Sequence, residues 1–181
     1  MRHAAEKLLS KYPKFRSVDG DAENTSLSDC FADRVTTAQA FHWFDTEKFR
    51  AECQRILKPD GYAVLIWNVR DIEDPVNAEL YQIFSKYCPD FKGFSGGIKK
   101  NDSRIIQFFR GEYDYAAFDA PLLFNKEKFT ARCLSGSYSL KDGDENFADY
   151  ISEITALFEK YARNGLLTAA NQSTAYIGKV K

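Results

Sequence analysis

The stretch ADRVTTAQAFHWFDTEKFRAECQRILKPDGYAVLIW, residues 32–67, carries one strand–helix–strand unit and decides the fold class. Residues 32–38 hold Val35 and two threonines, the β-branched content of a strand. Asp45 stands where a helix N-cap belongs, and Phe49, Cys53, Ile56 and Leu57 recur on one helical face up to residue 57. Leu57-Lys58-Pro59-Asp60-Gly61 ends that helix sharply. Residues 62–67 then form a near-continuous apolar run, the pattern of a buried parallel strand. The expectation is an α/β sheet with helices on its faces.

Working outward, residues 2–12 place Ala4, Ala5, Leu8 and Leu9 at helical spacing, and Pro13 ends the pattern. Residues 15–18 read as a short strand, followed by a forced turn at Asp19-Gly20-Asp21. Downstream, residues 74–87 predict a helix with Pro75 in its first turn. Residues 88–101 read as a loop or cover, 104–109 as a short helix or strand, and 122–125 and 131–138 as strands. Residues 146–161 form an amphipathic helix, with Phe147, Ile151, Ile154, Leu157, Phe158 and Tyr161 on its apolar face, and residues 174–180 a closing strand. No repeat, linker or low-complexity stretch divides the chain.

The 181 residues suit one domain, and 25 basic against 26 acidic residues leave a net charge of −1. That balance carries no electrostatic footprint for nucleic acid or an anionic membrane surface. No apolar run is long enough for a membrane span, and the polar N-terminus is unlike a signal peptide. Cys30, Cys53, Cys88 and Cys133 are scattered without a CxxC, and His3 and His42 are the two histidines, so no metal site is expected. Reduced thiols in a cytoplasmic protein are the expectation. With 15 Phe, 10 Tyr and 2 Trp, the core or a pocket is expected to be ring-rich.

Three strings taken together carry a resemblance: Gly20-Asp21-Ala22-Glu23-Asn24-Thr25, then Ala38-Gln39-Ala40-Phe41-His42-Trp43-Phe44-Asp45, then Arg55-Ile56-Leu57-Lys58-Pro59-Asp60-Gly61. They resemble consecutive landmarks of class I S-adenosylmethionine (SAM)-dependent methyltransferases. More narrowly they are similar to the small-molecule methyltransferases labelled type 11, which include trans-aconitate-methyltransferase-like proteins. Ser135-Gly136-Ser137-Tyr138 and Ala175-Tyr176-Ile177-Gly178 resemble the family's later landmarks. Asp60 stands where glycine is usual in the family.

The resemblance implies a Rossmann-like sheet with strand order 3-2-1-4-5-7-6, mostly parallel with an antiparallel last strand. It also implies an N-terminally truncated domain. The family opens with a strand, a Gly-x-Gly-x-Gly turn, a helix and a second strand ending in an acidic residue. No Gly-x-Gly-x-Gly occurs in these 181 residues. The expectation is one incomplete domain over residues 1–181, with 88–145 as a lid or insert, and with SAM held weakly or not at all. Its activity as an isolated chain would then be impaired or absent.

By resemblance, Asp21, Ala22 and Glu23 bracket adenine, and Gln39, Ala40 and Phe41 lie beside the methionine part of SAM. The other reading is a surface turn for the first three, and for the second three a strand-to-helix connection with Gln39 capping backbone groups. His42 suits a general base acting on a small-molecule acceptor, since its free pKa lies near 6.5; the alternative is a ring-packed histidine beside Trp43 and Phe44. Lys99-Lys100-Asn101-Asp102 with Arg104 and Arg110 could face an acidic substrate or form a solvated loop.

Lacking strands 1 and 2, the strand ending at Ala38 becomes a free edge with unpaired backbone groups. A homodimer across that edge, re-pairing by the N-terminal strand, or disorder of the first residues would each answer it; the homodimer is the expectation. A rival to catalysis is a non-catalytic methyltransferase remnant that serves dimerisation or partner binding. A dinucleotide enzyme is disfavoured because no glycine fingerprint for one is present.

Overall fold

A computed structural model describes residues 2–94 and 101–180. Helix α1 (Arg2–Leu9) leads through a long irregular segment to strand β1 (Ala32–Ala38). A 3-10 turn (Phe41–Trp43) and helix α2 (Thr46–Ile56) connect it to β2 (Leu57–Arg70). Then follow α3 (Pro75–Tyr87), α4 (Ser103–Phe109), β3 (Asp114–Asp119), β4 (Leu122–Phe124), α5 (Lys126–Leu134), α6 (Phe147–Tyr161), β5 (Leu167–Ala169) and β6 (Asn171–Gly178).

The main sheet has the order β1-β2-β6-β3, and β4 pairs with β5 in a separate two-stranded ribbon. β1 and β2 are parallel, and β6 is antiparallel to both β2 and β3. Strands β1, β2 and β3 therefore point one way and β6 alone opposes them. This is the expected mostly parallel sheet with an antiparallel last strand, in the order 4-5-7-6 that the resemblance implied.

The helix starts follow from their caps. Asp45 Oδ1 accepts from Lys48 N–H at 3.1 Å, and Asp74 Oδ1 from Asn77 N–H at 3.1 Å with Pro75 beside it. Helix α2 gives way to β2 at Leu57 with no intervening loop. The β1–β2 register slips between the Ala32↔Leu57 and Arg34↔Tyr62 pairs. Gly61 sits in that slip; a Cβ there would lie 3.0 Å from the Asp33 and Lys58 carbonyl oxygens, a tight approach that favours glycine.

Two apolar clusters hold the elements together. One face of β2 contributes Ala63, Leu65 and Trp67 to a cluster with Phe41, Phe49 and Cys53 and with Ile105 and Phe108 of α4. The other collects Phe84, Phe129, Tyr150, Ile154 and Phe158 from α3, α5 and α6. Tyr62, Val64 and Ile66, on the opposite face of β2, are half-buried.

Two expectations are corrected. Residues 15–18 form no strand. The segment is tied instead to α1, where Ser17 Oγ donates to Glu6 Oε1 at 2.6 Å and Arg2 pairs with Asp19. The run 131–138 is not a strand: residues 131–134 are the end of α5 and 135–138 are turn. Asn125 Oδ1 caps Lys128 N–H at 2.9 Å, and the i, i+4 pair Phe129 and Cys133 is buried, a helical period. Strands β3 and β5 were not anticipated. β1 is an edge of the sheet, as expected.

Candidate active site

The carboxyl ends of β1 and β2 lie side by side, and the residue that leaves β1 holds them so. Gln39 adopts φ +54°, a left-handed conformation uncommon for a residue with a Cβ. Its backbone N–H donates to Ile66 O at 3.0 Å and its Nε2 to Asn68 O at 3.2 Å. The Ala40 carbonyl then accepts Trp43 N–H at 2.9 Å and closes the 3-10 turn. Phe41 points inward, 1% exposed, with its ring edge-on to Trp67 at 6.0 Å and to Phe108 at 5.3 Å. Anchored by that ring, the turn leaves His42 half-buried and Trp43 74% exposed.

A cleft of about 780 Å³ opens beside this turn. Gln39, His42 and Trp43 line it from the loop, and Asn68 and Arg70 from the end of β2. Lys92 and Phe94 contribute from the segment after α3, and Arg132, Ser137 and Tyr138 from the end of α5 and beyond. This is the crevice outside the strand ends where open α/β sheets bind ligands.

The electrostatics of the cleft are set by burial. His42 Nδ1 is enclosed with no hydrogen-bond partner among the described residues. Burial first, and the nearby Arg104 charge second, lower its pKa below the ordinary histidine value. The neutral imidazole is therefore the favoured form near pH 7, a form able to accept a proton. Arg104 is itself pinned by Asp102, with Nε to Oδ1 and Nη2 to Oδ2 both at 2.9 Å. The Arg70 guanidinium stacks 4.2 Å from the centroid of Phe94. Burial pushes the thiols of Cys53 and Cys133 up to about 12, so neither serves as a nucleophile near neutral pH. No group of three or more His, Cys, Asp or Glu gathers to hold a metal among the described residues.

The sequence-read site residues separate into two places. Gln39 and His42 line the cleft, with Ala40 and Phe41 behind them. Asp21, Ala22 and Glu23 lie outside its lining, in a turn where Asn24 N–H donates to Asp21 O at 3.2 Å. That turn is tied to the start of α2, because Glu23 Oε1 accepts Asp45 N–H at 2.9 Å, and Ala22 packs on the cluster around Phe41. The Asp21 carboxylate is exposed and forms no side-chain hydrogen bond among the described residues. For SAM this is a partial fit. Asp21 is uncommitted and suited to the adenine end; the Glu23 carboxylate and the Phe41 ring are already spent on the fold. No glycine-rich turn is present for the methionine end.

Lys99 and Lys100 lie outside the described residues. Asp102 caps α4, and neither Arg104 nor Arg110 lines the cleft. Among the described residues, the Arg and Lys side chains that do line it are Arg70, Lys92 and Arg132, which sequence reading missed. Arg70 was within reach, since it follows the apolar run 62–67 at the carboxyl end of a strand. Arg132 was hidden inside the segment misread as a strand.

The sequence profile of a methyltransferase domain family matches residues 1–65. An uncharacterized methyltransferase of the fission yeast Schizosaccharomyces pombe is 38% identical over 123 residues, 68% of this chain and 46% of that protein. A second, methyltransferase-like protein of the same yeast is 37% identical over 87 residues, 48% of this chain and 34% of that protein. The chain thus spans between about a third and a half of the length of these relatives. Among solved structures, one assigned as a type II methyltransferase from Anaeromyxobacter dehalogenans superposes with a TM-score of 0.67 at 17% identity. It covers 93% of this chain and 73% of that one. A methyltransferase structure from Bacillus halodurans gives a TM-score of 0.53 at 17% identity, over 97% of this chain and 76% of that one. At such identities the agreement is one of fold.

Proposed function

We propose that the chain belongs to the class I SAM-dependent methyltransferase family, and that the cleft at the ends of β1 and β2 is the acceptor side of a site for methyl transfer to a small molecule. The observation that carries this reading is the convergence of Gln39, His42, Asn68 and Arg70 on one crevice outside the strand ends. SAM, when bound, supplies an activated methyl group on a sulfonium. Displacement at such a centre needs alignment above all and, for some acceptors, removal of a proton. Gln39 keeps the loop in register with β2. His42, favoured as the neutral form, takes the acceptor's proton. Phe94 and Tyr138 present half-buried rings that exclude water, and Trp43 lies exposed at the mouth. Asp21, with Ala22 and Glu23 in the same turn, would hold the adenine end, and Gln39, Ala40 and Phe41 would flank the methionine end.

With no Gly-x-Gly-x-Gly in these residues, SAM is held weakly and turnover by this chain alone is impaired or absent. Calorimetric titration of the 181-residue chain with SAM tests this. Affinity on the order of 100 µM or weaker is expected. Low-micromolar or tighter binding would contradict it.

A second reading is supported by β1, an edge strand with no neighbour on one side among the described residues, and by Leu8, Tyr12, Val18 and Phe31, which are exposed large apolar side chains of the N-terminal segment. In this reading the chain is a non-catalytic methyltransferase remnant that serves dimerisation or partner binding, with a homodimer formed across β1. Light scattering separates the two readings. A stable dimer with no methyl transfer to an acceptor panel supports the second; a monodisperse monomer at high concentration removes it.

A further inference from the structure

Arg70 is a half-buried guanidinium without a carboxylate. Arg2, Arg55 and Arg104 each hold an acidic side chain, Asp19, Glu52 and Asp102 respectively; Arg70 and Arg132 are among the arginines with no ion-pair partner among the described residues, and of these they are the ones that line the cleft. Taking an arginine partly out of water without a counter-ion is costly. The Phe94 face, 4.2 Å from Arg70, offsets part of that cost. The second guanidinium adds to it. Burial is the first and the Arg132 charge the second of the effects that lower the Arg70 pKa, so the two positive groups feel each other. Arginine does not relieve such strain by losing its proton. The chain as a whole carries a net charge of −1, so the two guanidinium groups, with Lys92 in the same lining, are a local feature and not a general basic surface.

We propose that Arg70 and Arg132 form a two-point receptor for a doubly charged oxyanion on the methyl acceptor, a dicarboxylate or a phosphate ester. The guanidinium fork matches the geometry of either group and binds it through charge-assisted hydrogen bonds. Ser137 and Tyr138 hydroxyls line the same cleft and add donors, and Trp43 and Phe94 accept the apolar body of the ligand. A volume of about 780 Å³ suits a small molecule. Asp90, the carboxylate that shares the lining, narrows the selection by disfavouring anions that reach beyond the two arginines. Neutral and cationic acceptors leave both guanidinium groups unanswered. The proposal rests on the reading of the cleft as an acceptor pocket.

Fluorescence of the intact chain tests it. Of the two tryptophans, Trp67 is 1% exposed and Trp43, at the cleft, is 74% exposed, so a change on ligand addition reports on the cleft. Succinate, inorganic phosphate and neutral succinamide are titrated at constant ionic strength, with calorimetry as a second readout. Saturable binding of at least one dianion and none of succinamide is expected; the tighter dianion assigns the acceptor as carboxylate or phosphate. Arg70→Met and Arg132→Met each weaken that binding by about tenfold or more, and Arg132→Lys, which keeps the charge but loses the fork, weakens it by less than Arg132→Met. Arg132 is exposed on α5, so its methionine variant keeps the fold even if that of Arg70 does not. Absence of saturable binding, equal binding of succinamide, or unchanged affinity in Arg132→Met overturns the proposal. None of these titrations contains SAM, so the receptor and the methyl-transfer reading can fail separately.

Discussion

Gln39 Nε2 donates to the carbonyl of Asn68 at 3.2 Å and so joins the carboxyl end of β1 to that of β2. The bond costs backbone comfort, since Gln39 sits at φ +54°. Gln39→Ala keeps the left-handed strain and loses the bond, and it is expected to lower unfolding stability by about 1 kcal/mol in urea titration. Gln39→Gly also loses the bond but releases the strain, and it is expected to cost less than the alanine variant. Equal stability of wild type and Gln39→Ala would show that the clamp carries no weight.

His42 offers a titration with a defined sign. Its folded pKa lies below the unfolded value of about 6.5, through burial first and Arg104 second. The associated stability is therefore fully present above pH about 6.5 and is lost as pH falls from there through the folded value. NMR of the imidazole should give a midpoint below the ordinary one, moving part of the way back up in Arg104→Gln. A midpoint at or above the ordinary value in the wild type would contradict the enclosed position of Nδ1.

The segment before β1 is fastened by Glu52, a buried carboxylate on α2. Its Oε1 accepts from Thr25 N–H at 2.8 Å and its Oε2 from Arg55 Nε at 2.9 Å. Arg55 foremost, with Thr25, holds its pKa down to about 2. A depressed carboxylate contributes stability above its unfolded pKa, and that contribution is lost as pH falls from about 4.5 toward 2. Glu52→Gln should be less stable than wild type at neutral pH, with the difference shrinking across that window. Denaturant midpoints between pH 6 and about 2.5 check this; a difference independent of pH would count against the pairing.

Gly178 closes the sheet at the end of β6. A Cβ there would meet Glu112 O at 2.7 Å and the Phe109 ring at 2.8 Å, closer than real contacts allow. Gly178→Ala should therefore destabilise the fold by about 1–3 kcal/mol, read as a lower thermal midpoint. An unchanged midpoint would mean that the β6 terminus yields freely.

Much of this architecture was legible because strong local signals agreed. Asp45 as a cap, Phe49 and Cys53 on one helical face and the apolar run ending at Trp67 gave one strand–helix–strand unit, and the structure has it. Residues 131–138 misled because Phe129 and Cys133, the i, i+4 pair that reveals the helix, straddle the start of that window. Residues 15–18 had a strand-like composition, but pairing is a tertiary event and no partner strand meets them among the described residues. At the site, Gln39 and His42 were readable from the motif around them. Arg70 and Arg132 were not read, because they come from separate elements that are brought together only when α5 and the end of β2 meet across the cleft.

Amide chemical-shift mapping with S-adenosylhomocysteine, at concentrations up to millimolar, tests most directly whether this cleft and the neighbouring turn form the methyl-transfer site. The expected result is weak, fast-exchange perturbation concentrated on Asp21, Ala22 and Glu23 and on the stretch from Gln39 to Trp43. Perturbations confined to the β4–β5 ribbon or spread evenly over the surface, with those residues silent, would contradict it.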